Sequence, residues 1–193
     1  MRIFQPFKIT IKTQGFGIKE TKPELLPFYQ SIGLKFGHNG FDWTAKDGEP
    51  IYWDCDIKGQ VLNTEIDGKG GLGVNVISQD KSGNFKHRFW HLKEFKCRAG
   101  QILEPGDLIG LADSTGYSTG THLHRDLKPV IKDQNGNWKT QYLNNGMLGT
   151  IDPAPYYKYV FIGDYVLQLK NIQNQLNVLQ KIIQGLVNFF KGR

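Results

Sequence analysis

The chain has 193 residues, enough for one ordinary domain with a real core plus an appendage. A hydrophobic fraction of 39% and 23 glycines favour turns and strands over a helical bundle. Much of the net charge of +6 comes from Lys170, Lys181, Lys191 and Arg193, beyond the last acidic residue Asp164. The preceding body is therefore only weakly basic and shows no Lys/Arg stripe for nucleic acid.

Phe7 to Lys12 alternates apolar and polar residues and predicts a first strand. Thr21-Lys-Pro-Glu24 has capping-box spacing, so a short helical turn is expected there, limited by Pro27. A glycine-rich loop follows from Gly33 to Asp42. Short strands are then predicted at Ile51 to Asp56, Gln60 to Ile66, Gly73 to Ser78, Phe85 to Leu92, Gln101 to Leu103, Leu108 to Ala112 and His122 to Leu127. Turn signals such as Asp67-Gly68, Ser82-Gly83 and Pro105-Gly106 separate them. Trp138 to Tyr142 adds a last edge strand. The expected fold class is all-β, an antiparallel and sandwich-like body.

After Tyr159 the texture changes, and residues 1–159 and 160–193 read as two domains. Ile162, Tyr165, Leu169, Ile172, Leu176, Leu179, Ile183, Leu186 and Phe190 step by three and four residues, a heptad seam on an amphipathic helix. Glutamines and the apolar Val166, Ile182, Val187 and Phe189 flank the seam in place of opposite charges, and Gly185 is its weak spot. Mixed Leu and Ile along the seam suits a homo-oligomer of three or more strands. The basic apolar face suits contact with an anionic membrane surface, and a third reading folds the helix onto the β body.

Neither Cys55 nor Cys97 belongs to a Cys-x-x-Cys, which argues against a zinc knuckle or a thioredoxin-like site. They could pair or stay free, and small packed residues is the simplest reading. The N-terminus lacks the apolar run of a signal peptide, and no stretch approaches the ~20 apolar residues of a membrane-spanning helix. The product is expected to be made soluble, reaching any outside target without a cleaved signal.

Chemistry concentrates in three segments. His122-Leu-His124 lies on a strand, so both imidazoles project from one face. In His38-Asn-Gly-Phe-Asp42, Gly37 and Gly40 allow a tight loop that folds a histidine and a carboxylate towards one point. Both are competent zinc ligands, and His124 is the natural third of an open, catalytic type of site. His91, in Phe89-Trp-His-Leu92, can face the same cleft, leaving it and His122 as imidazoles that need not bind metal. His87 is assigned to packing or surface. Asn39 and Ser118 are candidates for supporting these groups. Trp43, Trp53, Phe89, Trp90 and Tyr117 could line a groove, although an aromatic in a β body is more often core.

His38-x-Gly-x-Asp42, Phe89-Trp-His91-Leu92 and Ser118-Thr-Gly-Thr-His-Leu-His124 together resemble the lysostaphin-type zinc peptidases that cut peptidoglycan peptides. The likeness spans roughly Phe7 to Tyr157. It implies one Zn²⁺ held by His38, Asp42 and His124. His91 and His122 stand beside it to orient and deprotonate a water, then stabilise the oxyanion or return the proton to the leaving amine. Thr121 replaces a common proline, and Arg125-Asp126 replace an aromatic-acidic pair, departures expected to bear on substrate fit. The leading expectation is a zinc endopeptidase acting on cross-bridges or stem peptides of bacterial peptidoglycan, as a phage lysin (endolysin) or virion-associated wall hydrolase. The alternative is a structural protein of a particle, assembled through its helix, with a secondary zinc site.

Overall fold

The computed structural model describes residues 1–191. The side chains of Phe189, Phe190 and Lys191, and Gly192 and Arg193 altogether, lie outside the described residues. The strands are β1 (Ile3–Gln5), β2 (Lys12–Gln14), β3 (Phe41–Thr44), β4 (Pro50–Tyr52), β5 (Gly59–Asp67) and β6 (Gly71–Asp80). They continue with β7 (Gly83–Phe95), β8 (Ile102–Leu103), β9 (Leu108–Ala112), β10 (His122–Lys132), β11 (Trp138–Thr140) and β12 (Tyr157–Phe161). Two α-helices, α1 (Leu26–Ser31) and α2 (Ile162–Lys191), and three short 3-10 turns complete the described residues.

Ten strands form one sheet along the path β2-β3-β10-β7-β6-β5-β8, with β11 beside β10 and β9 joining β7 to β4. Every pairing in it is antiparallel. The small parallel pair β1 and β12 stands apart from it. The all-β, antiparallel expectation holds, and α2 begins at the first residue of the predicted seam.

Three local expectations change. Phe7 to Lys12 bends instead of forming a strand, and pairing with β3 begins only at Lys12. Phe7 is buried whereas Ile9 is 90% exposed, so the alternation has no sheet to serve. Pro27 opens α1 where it was expected to limit a helix, since its missing N–H is harmless in a first turn. Thr21 makes no cap: its hydroxyl donates to the Gly17 carbonyl and accepts from the His38 N–H.

The core collects the apolar faces of β3 to β7, β9 and β10 around Trp43, Trp53, Phe41, Phe89 and Leu123. Strand alternation places Leu123, Arg125 and Leu127 of β10 inside, so a guanidinium enters this core. Its Nε and Nη2 donate to the two Asp54 oxygens, both at 2.9 Å. Nη2 also donates to His87 Nδ1 at 2.6 Å, and the His87 Nε2–H then donates to Ser78 Oγ at 2.7 Å. The Phe89 ring lies 5.0 Å below the guanidinium. His87 is thus a packed, neutral imidazole, its pKa driven well below the usual value by burial and the adjacent Arg125 charge.

This buried pair generates a stability test. Arg125→Ala leaves Asp54 charged and unpaired, and is expected to lower the unfolding free energy by about 3–5 kcal/mol. Replacing both partners, Arg125→Met with Asp54→Leu, is expected to recover most of that loss in a urea titration.

Candidate metal centre

His124 sits in β10 directly opposite Asp42 in β3, with Trp90 of β7 on its other side. The preceding loop brings His38 to the same point. Gly37 adopts φ +88°, and a Cβ on Gly40 would fall 2.9 Å from the His124 ring, so only glycine permits this approach. His38 Nε2, His124 Nδ1 and Asp42 Oδ1 are mutually separated by 2.9–3.1 Å. Tetrahedral zinc with bonds of about 2.0–2.1 Å spaces its ligands by about 3.3–3.4 Å, so the three donors need move only a few tenths of an ångström to hold it. Two imidazoles and one carboxylate, leaving a coordination position open, are a suitable donor set for that ion.

Groups behind each donor set its orientation. His38 Nδ1–H donates to the Gly15 carbonyl at 2.9 Å, which leaves the Nε2 lone pair for the cleft. His124 turns its Nε2 towards Asp126, 3.4 Å away. Asp126 is itself clasped by Arg88, whose Nε and Nη2 reach its two oxygens at 2.8 and 2.7 Å. Burial alone would raise the Asp42 carboxyl, but the adjacent His38 and His124 hold it well below the usual carboxylate range. Burial likewise opposes charge on His124, yet the hydrogen bonds to Asp126 and Asp42 bring it up to about 9.

His91 and His122 complete the cleft, their ring centroids 4.6 Å apart. Each is held by Nδ1: His91 donates to the Thr115 carbonyl at 2.7 Å and His122 to the Gly120 carbonyl at 2.8 Å, with Ser118 Oγ at 3.1 Å. In the neutral ring that bond places the proton on Nδ1 and the lone pair on Nε2, and the Nε2 of His122 lies 3.7 Å from Asp42 Oδ1. Burial, followed by the neighbouring His124 and His122, brings His91 down to about 4. His91 has φ +64°, rare for a non-glycine residue and costing about 1–3 kcal/mol. The bulge there interrupts the alternation of β7, so Trp90 and His91 both line the cleft while Leu92 returns to the core.

All five expected residues line this one cleft. Among the aromatic candidates Trp90 and Tyr117 also line it, whereas Trp43, Trp53 and Phe89 are core. The expectation that Arg125 and Asp126 bear on substrate fit is corrected, because both are fully buried, one in the core and one behind His124. Tyr29 was not foreseen. Its ring lies 5.6 Å from His38, and its hydroxyl accepts from Gln14 Nε2 at 3.1 Å. Burial and then the Asp42 charge raise its pKa to about 12, so it is a neutral donor beside the metal position. Nothing in the local sequence marks it, although alternation along β10 does put Asp126 on the His124 face. A second set of possible ligands, Asp54, Cys55 and His87, already surrounds the Arg125 guanidinium, which supplies the positive charge there. Cys55 and Cys97 are both free thiols.

A family model described as Peptidase family M23 matches residues 36–138. A peptidoglycan DD-endopeptidase of Vibrio cholerae is 28% identical over 144 residues, covering 68% of this chain and 31% of that protein. Lysostaphin of Staphylococcus simulans is 29% identical over 94 residues, covering 48% of this chain and 18% of lysostaphin. The chain spans about a third or less of the length of these curated relatives. The solved catalytic domain of Staphylococcus simulans lysostaphin superposes with a TM-score of 0.55 at 22% identity, covering 76% of this chain and 90% of that domain, a likeness of fold.

The arrangement behind His124 is testable by metal titration. Asp126→Ala keeps all three donors but frees the His124 ring, and is expected to weaken zinc binding by about 10–100-fold against a chromophoric chelator. His124→Ala is expected to abolish stoichiometric binding in the same titration.

Proposed function

The chain belongs to peptidase family M23, and from that premise we propose that it is a zinc-dependent endopeptidase hydrolysing cross-bridge or stem peptides of bacterial peptidoglycan. One observation carries the reading. Three donor atoms from β3, β10 and the loop before β3 converge within 3.1 Å, and two further imidazoles beside them are each held through Nδ1. His38, Asp42 and His124 would hold the ion. Bound zinc lowers the pKa of a ligating water to about 7 and polarises a substrate carbonyl.

The protein's own groups supply the rest. An unprotonated Nε2, on His122 or His91, accepts a proton from the attacking water as its oxygen bonds to the carbonyl carbon. The resulting imidazolium gives that proton to the amide nitrogen as the C–N bond breaks. The carbonyls of Thr115 and Gly120 keep both rings in the tautomer this transfer needs. Tyr29 offers a neutral hydroxyl to charge developing on the carbonyl oxygen. The named relatives that act on peptidoglycan support the choice of substrate.

Helix α2 supports a proposal of its own. Leu169, Ile172, Leu176, Leu179, Ile183 and Leu186 form an exposed apolar stripe on α2, and the intervening flank positions are mostly glutamine. Parallel copies would bring no like charges together along that seam, so we infer self-association through residues 162–190, as fits an enzyme carried on a larger assembly such as a phage particle. The other occupant of that stripe is an anionic membrane surface. No helix among the described residues is long and apolar enough to cross a membrane.

Muropeptide release from purified sacculi of several wall types, resolved by mass spectrometry, tests the activity and identifies the bond cut. His122→Ala and His91→Ala are expected to retain zinc and lose about 10²–10⁴-fold in turnover. A His122→Ala protein that digests sacculi normally refutes that role. For α2, light scattering of the full chain beside a chain ended at Ile162 is expected to show an oligomer only for the former. Equal monomer masses would eliminate self-association.

A further inference from the structure

The cleft has a volume of about 640 Å³, and its two walls are built very differently. One wall is the loop after β9. Thr115 holds it through three bonds, from His91 Nδ1–H to its carbonyl, from its Oγ1–H to the Leu92 carbonyl, and from the Leu72 N–H to its Oγ1. The Tyr117 N–H donates to the Lys69 carbonyl at 2.6 Å, and Ser118 and Gly120 hold His122. This wall cannot shift without releasing both imidazoles. The facing wall contains α1 and the 3-10 turn before it, Pro23–Leu25. Neither contains a fully buried residue or a side-chain cap, Tyr29 of α1 being half-buried. A segment with so little buried surface belongs to the low-stability end of a structure.

The walls meet at a pair of rings. Phe28 of α1 and Tyr117 touch edge-on, centroids 5.7 Å apart and planes at 68°. At 39% and 59% exposed, both lie on the outer rim of the cleft. Phe28 also contacts Tyr29, which contacts His38, so an aromatic arch runs from the fixed wall to the metal position.

We propose that Phe28 and Tyr117 are a specificity-determining gate, with α1 its moving leaf, which must part for a peptide tethered at both ends. The inference rests on the peptidase reading above. A free peptide can slide under a closed arch by one end. A cross-link fixed to glycan on both sides has no free end and enters only sideways, between the rings. An edge-on aromatic pair favours its closed state by about 2–10-fold, so the gate taxes tethered substrate by that factor and leaves soluble peptide untouched.

The test compares one bond in two settings: intact sacculi, and the soluble cross-linked peptides freed from the same sacculi by removing the glycan with an amidase. Phe28→Ala and Tyr117→Ala are each expected to raise the ratio of sacculus to soluble-peptide cleavage by about 2–10-fold. An unchanged ratio, or an equal loss on both substrates, overturns the gate. Amide hydrogen exchange supplies a readout independent of activity. Tyr117→Ala is expected to speed exchange over residues 23–31 and to leave residues 115–122 as they were. Unchanged exchange over 23–31 overturns the gate even if the parent protein cleaves neither substrate, a result that would sink the peptidase reading by itself.

Discussion

The register of β10 between β3 and β7 is the constraint on which the rest depends. One strand carries both the inner support of the core and the outer chemistry of the cleft, with faces that alternate residue by residue. Leu123, Arg125 and Leu127 point inward, and His122, His124 and Asp126 point towards the cleft. A slip of one residue would deliver a guanidinium to the metal position and two imidazoles to the core. The pairings of His124 with Asp42 and of Asp126 with Arg88 oppose that slip, because each is satisfied only in the observed register.

Charge is handled in two separate compartments across this strand. Behind His124, the Arg88 and Asp126 pair passes a fixed negative edge to the imidazole, which makes its Nδ1 a better donor for a cation. Beneath the sheet, Arg125 and Asp54 neutralise each other with His87 and Ser78 taking up the remaining hydrogen-bonding capacity. Such a buried pair adds little net stability over an apolar one, but half of it would be very costly to leave alone. The strained backbone of His91 belongs to the same economy of position, since the bulge that turns its ring into the cleft lies between the end of the pairing of β7 with β10 at Trp90 and the start of its pairing with β9 at Leu92.

The loop of residues 113–121 links chemistry to access. Its carbonyls hold the two imidazoles, and the same few residues present Tyr117 to the opposite wall. Rigidity on this side and weak anchoring of α1 on the other follow from how many backbone groups each wall has tied down.

Periodicity and residue chemistry were enough to find the strands around the site, the seam of α2, and the five residues that meet in the cleft. The His-x-His pair could be read because a strand period of two leaves no choice of face. The peptidase likeness could be read because its three motifs are each short and local. Other features depended on partners distant in sequence. Phe7 to Lys12 alternates like a strand but bends, because pairing comes from a neighbour and not from the pattern. Arg125 is charged, which argues for the surface, yet Asp54, 71 residues away, makes its burial possible. Tyr29, Thr115 and the ring contact of Phe28 with Tyr117 carry no local signal at all. Tertiary structure decided them, because orientation of an imidazole and closure of a cleft are set by whichever groups the folded chain brings alongside.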